Sequence, residues 1–215
     1  IYKELIVLLK NIKRTTARML FPILFYSKSY FLADLVYSGL GSILMFHRVC
    51  PSSSKPRIKG NAGLEVTPDY LEKTILFLRK NNYEIVSLDR AAQILNGDQV
   101  KKKIAVFTFD DGYVDNYLYA YPILKKHAVP FTIYVTTHLP DGEAILWWYL
   151  LEDLILKENR IDFELNDQRY QYSCASSREK DWVYNEIHKL ILDGPSSQLN
   201  QRIRQVFENY DISFL

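Results

Sequence analysis

Four short strand-like runs, each followed by a stretch of helical periodicity, constrain this chain more than any other feature. The runs are Ile43-Leu44-Met45-Phe46, Tyr83-Glu84-Ile85-Val86, Ile104-Ala105-Val106-Phe107-Thr108-Phe109 and Phe131-Thr132-Ile133-Tyr134-Val135. Thr67-Pro68-Asp69 offers an N-cap, a proline at the first helical position and an acid in the first turn, and Leu71, Ile75 and Leu78 follow at helical spacing. Asp89 is placed to cap a helix through Ala91, Ala92, Ile94 and Leu95, with Gly97 where a helix-ending glycine belongs. Tyr113 to His127 reads as a third helix with Leu118, Tyr121 and Leu124 on one side. Near-continuous apolar strands alternating with amphipathic helices predict an α/β fold whose parallel sheet is covered on both faces, either a barrel or a doubly wound sheet. In both architectures ligands sit beyond the carboxyl ends of the strands.

The flanks read differently. Pro51 to Gly63 is rich in Ser, Pro, Lys and Gly without apolar periodicity, which predicts an exposed, mobile loop. From about Ile145 the rhythm changes: Leu146 to Lys157 reads helical, Ile161 to Tyr172 alternates like a hairpin, and Arg178 to Leu192 and Gln198 to Tyr210 are again helical. Three parts are therefore expected: a basic lead over 1–40, a strand-rich part over 41–144, and a mostly helical part over 145–215. The lead mixes Leu, Ile and Phe with Lys3, Lys10, Lys13, Arg14, Arg18 and Lys28, so no run approaches the roughly 20 apolar residues of a membrane span. Peripheral contact with an anionic membrane surface and packing on its own domain both suit it. A formal charge of +2 over 215 residues gives no argument for a nucleic-acid partner, and Lys101-Lys102-Lys103 reads as a solvated guard before a buried strand. Two cysteines, Cys50 and Cys174, are too few for a disulfide framework or a thiolate zinc site.

The chemistry concentrates at Asp110-Asp111-Gly112. Two carboxylates directly after an apolar strand lie where a site would be, and neighbouring residues at a strand end point to different sides. One can then bind a metal while the other takes a proton from the metal-bound water. A bare Asp-Asp-Gly is also an ordinary polar turn. The flanks separate the two readings. Phe107-Thr108-Phe109-Asp110-Asp111-Gly112-Tyr113, then Asn116, Pro122-Ile123-Leu124 and Pro130-Phe131-Thr132, resembles the first motif of the polysaccharide deacetylase family, the NodB-type homology domain, with its following helix and strand. Ile43-Leu44-Met45-Phe46-His47-Arg48-Val49 is similar to the opening strand of the branch acting on bacterial surface polysaccharides, and the likeness covers roughly Gly41 to Thr137.

That resemblance implies an irregular (β/α) barrel with a mainly helical insertion, Asp110 as general base, Asp111 as a ligand to a divalent metal, zinc first, and removal of N-acetyl groups from N-acetylhexosamine units of a glycan. It also implies two histidines four residues apart, and His47, His127, His138 and His188 have no such spacing. The expectation is that those ligands and the rest of the barrel lie beyond Leu215. The competing reading is a carbohydrate-binding or glycan-assembly protein on the same fold that has lost the metal site; a further one is another metal amidohydrolase acting on small amides. His47, ending the first strand, is a candidate substrate contact, whereas His127, His138 and His188 read as structural. Trp147-Trp148-Tyr149 suits core packing better than sugar stacking. The cell envelope or a membrane-associated site is the expected location, with the cytoplasm as the alternative.

Overall fold

The computed structural model describes residues 22–23, 26–27, 39–52, 56–137 and 146–210. Most of the basic lead and His138 lie outside the described residues, so neither expectation is met or refuted by the fold. In chain order the elements are β1 (Gly41–Phe46), β2 (Arg48–Val49), α1 (Lys59–Ala62), β3 (Glu65–Val66), α2 (Pro68–Lys80), β4 (Glu84–Ile85), α3 (Leu88–Leu95) and β5 (Ile104–Phe109). A π-helical turn, Asn116–Ala120, leads into α4 (Tyr121–Lys126) and β6 (Phe131–Ile133). Then come α5 (Trp147–Lys157), β7 (Arg160–Leu165), β8 (Gln168–Ser173), α6 (Ser177–Leu192) and α7 (Leu199–Phe207). Among the described residues no helix is long and apolar enough to cross a membrane.

β5 is the centre of the sheet, and all six of its residues are buried. β1 runs parallel to it along its whole length, from Gly41 beside Ile104 to Phe46 beside Phe109. The opposite edge of β5 is shared by β4, beside Ile104 and Ala105, and β6, beside Phe107 to Phe109. The fold class is thus α/β, an open, irregular arc of (β/α) units with a mainly helical part appended. Alternation sorts the side chains onto two faces. Leu44, Phe46, Phe107 and Phe109 pack under α2 and α4 with Leu71, Ile75 and Leu124, and the Phe46 ring stacks on both Phe107 and Phe109. Ile104 and Val106 pack on the other face against Val86, Ala91 and Ile94. That second face is covered only in part: Ile43 and Met45 of β1 stay 57% and 61% exposed, contrary to the expectation of two covered faces.

Residues 146–210 have a core of their own, built from Trp147, Leu151, Ile155, Ile161, Phe163, Val183, Ile187 and Phe207. β7 and β8 form the expected antiparallel hairpin around Asn166 and Asp167, both at positive φ as a two-residue turn of this hand requires. Ser176 and Glu179 close a reciprocal capping box at the start of α6. Lys180 Nζ donates to the carbonyls of Ile155, Leu156 and Glu158, which satisfies the free end of α5.

Three local expectations need correction. The segment from Pro51 to Gly63 is not simply an exposed loop: Ile58 and Asn61 are each 1% exposed, and Ile58 belongs to the second core. α3 is capped by Ser87, whose Oγ accepts the Arg90 N–H, while Asp89 sits in its first turn. After the paired aspartates the buried face is Asn116, Ala120 and Leu124, and Leu118 is 54% exposed. The wider π-helical turn carries more residues than an α-turn, so the side facing the core is not the one that α-helical spacing selects.

Candidate active site

The end of β5 is built by its pairing with β1. The Asp110 N–H donates to the Phe46 carbonyl at 2.8 Å, continuing the ladder one residue past the end of β5. Because Phe46 and Phe109 are register partners, the next residues, His47 and Asp110, emerge at the same end of adjacent parallel strands. Asp111 then takes φ 70° and Gly112 φ 74°, turning the chain sharply. Left-handed backbone at an aspartate is a strained state that surrounding structure must hold. Part of the hold is visible: the ordinary Cβ position at Gly112 lies 3.2 Å from both methyl groups of Val135, so only glycine fits without displacement. Just past β6, the Thr136 hydroxyl donates to Asp111 Oδ1 at 3.4 Å, and both aspartates remain partly open to solvent.

Behind this turn stands a charged network. Arg48 Nε donates to Asp115 Oδ2 at 2.6 Å, and the Val49 N–H donates to Asp115 Oδ1 at 3.2 Å. The Arg48 guanidinium lies 5.2 Å from the ring centres of both Tyr113 and Tyr149, a double cation–π contact. Its other arm reaches Glu65, which also accepts from Arg57, and Arg57 forks onto Glu152 at 2.8 and 3.1 Å. Glu152 further accepts the Ile58 N–H and the Asn61 amide, and the Asn61 oxygen accepts the Tyr184 hydroxyl. Burial acts to raise the Glu65 and Glu152 carboxyls, but hydrogen bonds from Arg57, supplemented by Arg48 or by Asn61 and Ile58, outweigh it and hold both below the usual carboxylate value. Burial also pushes the Tyr113 hydroxyl well above its ordinary value.

Of the candidate residues, Asp110, Asp111 and His47 lie together at one sheet end. Cys50 does not behave as a nucleophile: burial first, then Glu65, raise its thiol, the reverse of what activation needs. His127 Nε2 lies 2.7 Å from Glu72 between α4 and α2, and His188 packs on the rings of Trp147 and Tyr184, where burial lowers its affinity for a proton. Trp147 is 5% exposed in the second core, as the packing reading expects, whereas Tyr149 is only half-buried and meets Arg48. Among the described residues no three His, Cys, Asp or Glu side chains converge closely enough to hold a metal ion. Asp115 was not singled out in the sequence, and Arg48 and Tyr149 stood there only within longer runs, with nothing to join them. Their partners lie tens of residues away, so no local spacing joins them.

The model of the polysaccharide deacetylase family matches residues 97–190, which include both aspartates. YxkH of Bacillus subtilis (strain 168), whose name assigns it provisionally to the polysaccharide deacetylases, is 34% identical over 94 residues, 43% of this chain and 30% of that protein. The Streptococcus pyogenes deacetylase PplD, solved in complex with acetate, is 29% identical over 52% of this chain and 50% of that one, with a TM-score of 0.42. IcaB from Ammonifex degensii is 28% identical over 43% and 36% of the two chains, with a TM-score of 0.37. The matched part thus spans less than a third of YxkH and about half of PplD.

Proposed function

We propose that this chain, a polysaccharide deacetylase family member by its residues 97–190, belongs to an enzyme that hydrolyses N-acetyl groups from N-acetylhexosamine units of a glycan. The observation that carries the reading is the paired aspartate at the carboxyl end of β5, delivered to the same sheet end as His47 by the register of β1. In this reading Asp110 accepts a proton from the water that attacks the acetamide carbonyl. The tetrahedral adduct then expels the amine, which takes up a proton, and acetate is released. His47 contacts the sugar at the mouth.

Asp111 is assigned to a divalent cation, with zinc the first choice. Such an ion would polarise the carbonyl and lower the pKa of the attacking water. Catalytic zinc takes about three protein ligands, and the described residues furnish one carboxylate for it, so Asp111 alone does not make a tight site. The glycan chemistry suits the cell envelope, and peripheral membrane contact through the basic lead belongs to the same proposal.

The test is acetate release from N-acetylglucosamine oligomers, with zinc or cobalt added and then with a chelator. Metal-dependent acetate supports the reading. Oligomer binding without acetate, from metal-loaded protein, replaces it with the carbohydrate-binding alternative.

A further inference from the structure

Tyr149 reaches the paired aspartates from outside the sheet. It belongs to the first turn of α5, in the helical part, and its ring meets the Tyr113 ring edge-on at 6.4 Å. The Arg48 guanidinium lies 5.2 Å from each ring centre, while its Nε holds Asp115 at 2.6 Å. Tyr113 and Asp115 follow directly on the left-handed turn at Asp111 and Gly112, a backbone state that its surroundings have to hold. On one side of that turn Val135 crowds Gly112 and Thr136 reaches Asp111, both from the segment after β6. On the other side the hold is Arg48 and the two rings. Burial, then Tyr149, then the charge of Asp111 all raise the Tyr113 hydroxyl, so ring and carboxylate lie within electrostatic reach.

Tyr149 is itself fixed from the helical side. Three residues on, Glu152 is buried and accepts from Arg57, the Ile58 N–H and the Asn61 amide. The Asn61 amide also donates to the carbonyl of Trp148, the residue before Tyr149. The Tyr149 hydroxyl donates to Glu65 at 3.3 Å, a carboxylate it shares with Arg48. A guanidinium is attracted to a ring face more strongly where water is excluded, and the Arg48 side chain is only 29% exposed. Without the Tyr149 ring, water reaches the guanidinium and its grip on Asp115 slackens.

We propose that Tyr149 is a positioning residue for the aspartate turn: through Arg48 and Tyr113, the docking of α5 sets how firmly the segment from Asp110 to Asp115 is ordered. The positioning stands on these contacts, and its effect on turnover rests on the deacetylase reading.

The test is amide hydrogen exchange in the full-length protein and in Tyr149→Ala and Tyr149→Phe. The Val49 amide, bonded to Asp115 Oδ1, and the Asn116 amide, bonded to the Tyr113 carbonyl, report on the turn. In Tyr149→Ala both are expected to exchange at least about tenfold faster, with the β7–β8 hairpin unchanged. Tyr149→Phe, which keeps the ring, should match the wild type. Unchanged exchange at Val49 and Asn116 in Tyr149→Ala overturns the proposal, as does equal acceleration in the hairpin, which marks general destabilisation. Acceleration in Tyr149→Phe equal to that in Tyr149→Ala also overturns it, because the hold would then be the hydroxyl on Glu65. Acetate release is read separately: kcat in Tyr149→Ala is expected to fall at least about tenfold with KM within about twofold. A raised KM at unchanged kcat makes Tyr149 a substrate contact and sinks the positioning role. Absence of acetate from the wild type sinks the deacetylase reading and leaves the exchange result to decide the positioning.

Discussion

Arg48 Nε donates to Asp115 Oδ2 at 2.6 Å across 67 positions of sequence, tying the start of β2 to the segment that follows Asp110 and Asp111. The Asp115 side chain is 5% exposed, so removing the guanidinium leaves a buried carboxylate with little beyond the Val49 N–H. Arg48→Met is expected to cost about 3 kcal/mol, read as a fall in the urea midpoint. Arg48→Lys should recover only part of this. A compact ammonium cannot serve Asp115 and Glu65 while lying flat between two tyrosine rings. An unchanged midpoint in Arg48→Met would remove the clamp from the account of the site.

The two aspartates should separate by readout. Asp110→Asn is expected to lower acetate release by about 10²–10⁴-fold while zinc affinity, measured by calorimetry, stays within error. In the full-length protein, Asp111→Asn is expected to weaken zinc binding at least about tenfold, because a ligating carboxylate is lost. Normal turnover in Asp110→Asn would end its assignment as base.

Two glycines fix backbone approach and should respond unequally. A Cβ on Gly41 would stand 2.0 Å from the Ile104 carbonyl oxygen, a collision with the strand it pairs with, so Gly41→Ala should cost about 3 kcal/mol in urea unfolding. Gly112→Ala meets only the Val135 methyls at 3.2 Å together with an unfavourable φ, and about 1–2 kcal/mol is expected. Adding Val135→Ala should relieve the steric part and leave the φ part. Equal costs for the two single variants would contradict this division.

Acid should loosen the helical part from the sheet. Glu65 and Glu152 are held below the ordinary carboxyl value of 4.5, so their contribution to stability is complete above pH 4.5 and is lost as the pH falls through their lowered values. The melting temperature is expected to drop steeply below pH 4.5. In Glu152→Gln that drop should shrink, with a lower melting temperature at neutral pH. An identical acid profile in the variant would place the sensitivity elsewhere.

What was legible in the sequence follows the range of the interactions concerned. β5 was readable because six residues buried on both faces leave a near-continuous apolar run, and α2 because Thr67 accepts the Tyr70 N–H within one turn, a relation visible as Thr-Pro-Asp. The position of Asp110 and Asp111 followed from strand and turn alone. Ile58 was unreadable: one isoleucine among Ser, Pro, Lys and Gly has no period, and its burial depends on helices that begin about ninety residues later. The π-helical turn was equally hidden, since Asn116–Ala120 has no composition to mark it and its effect is a rotation of the buried face. Arg48 stood in plain view beside His47. Its role needed Asp115, Tyr113 and Tyr149, which only the fold brings together.

The seating of the Pro56–Ala62 stretch has a consequence in time. The Ile58 N–H waits for Glu152, 94 residues on, and Asn61 waits for Tyr184, 123 residues on. At about 5–20 residues per second of synthesis, the second wait is roughly 6 to 25 seconds on the ribosome. During it the sheet core between β1 and β6 is already available to close, while Ile58 has nothing to be buried against. The packing around Ile58 is therefore begun by a segment that emerges well before α6 and finished only once α6 has been made. Substitutions in α6 that slow its docking while leaving the finished protein intact should lengthen that exposure, and with it the opportunity for newly made chains to associate through Ile58.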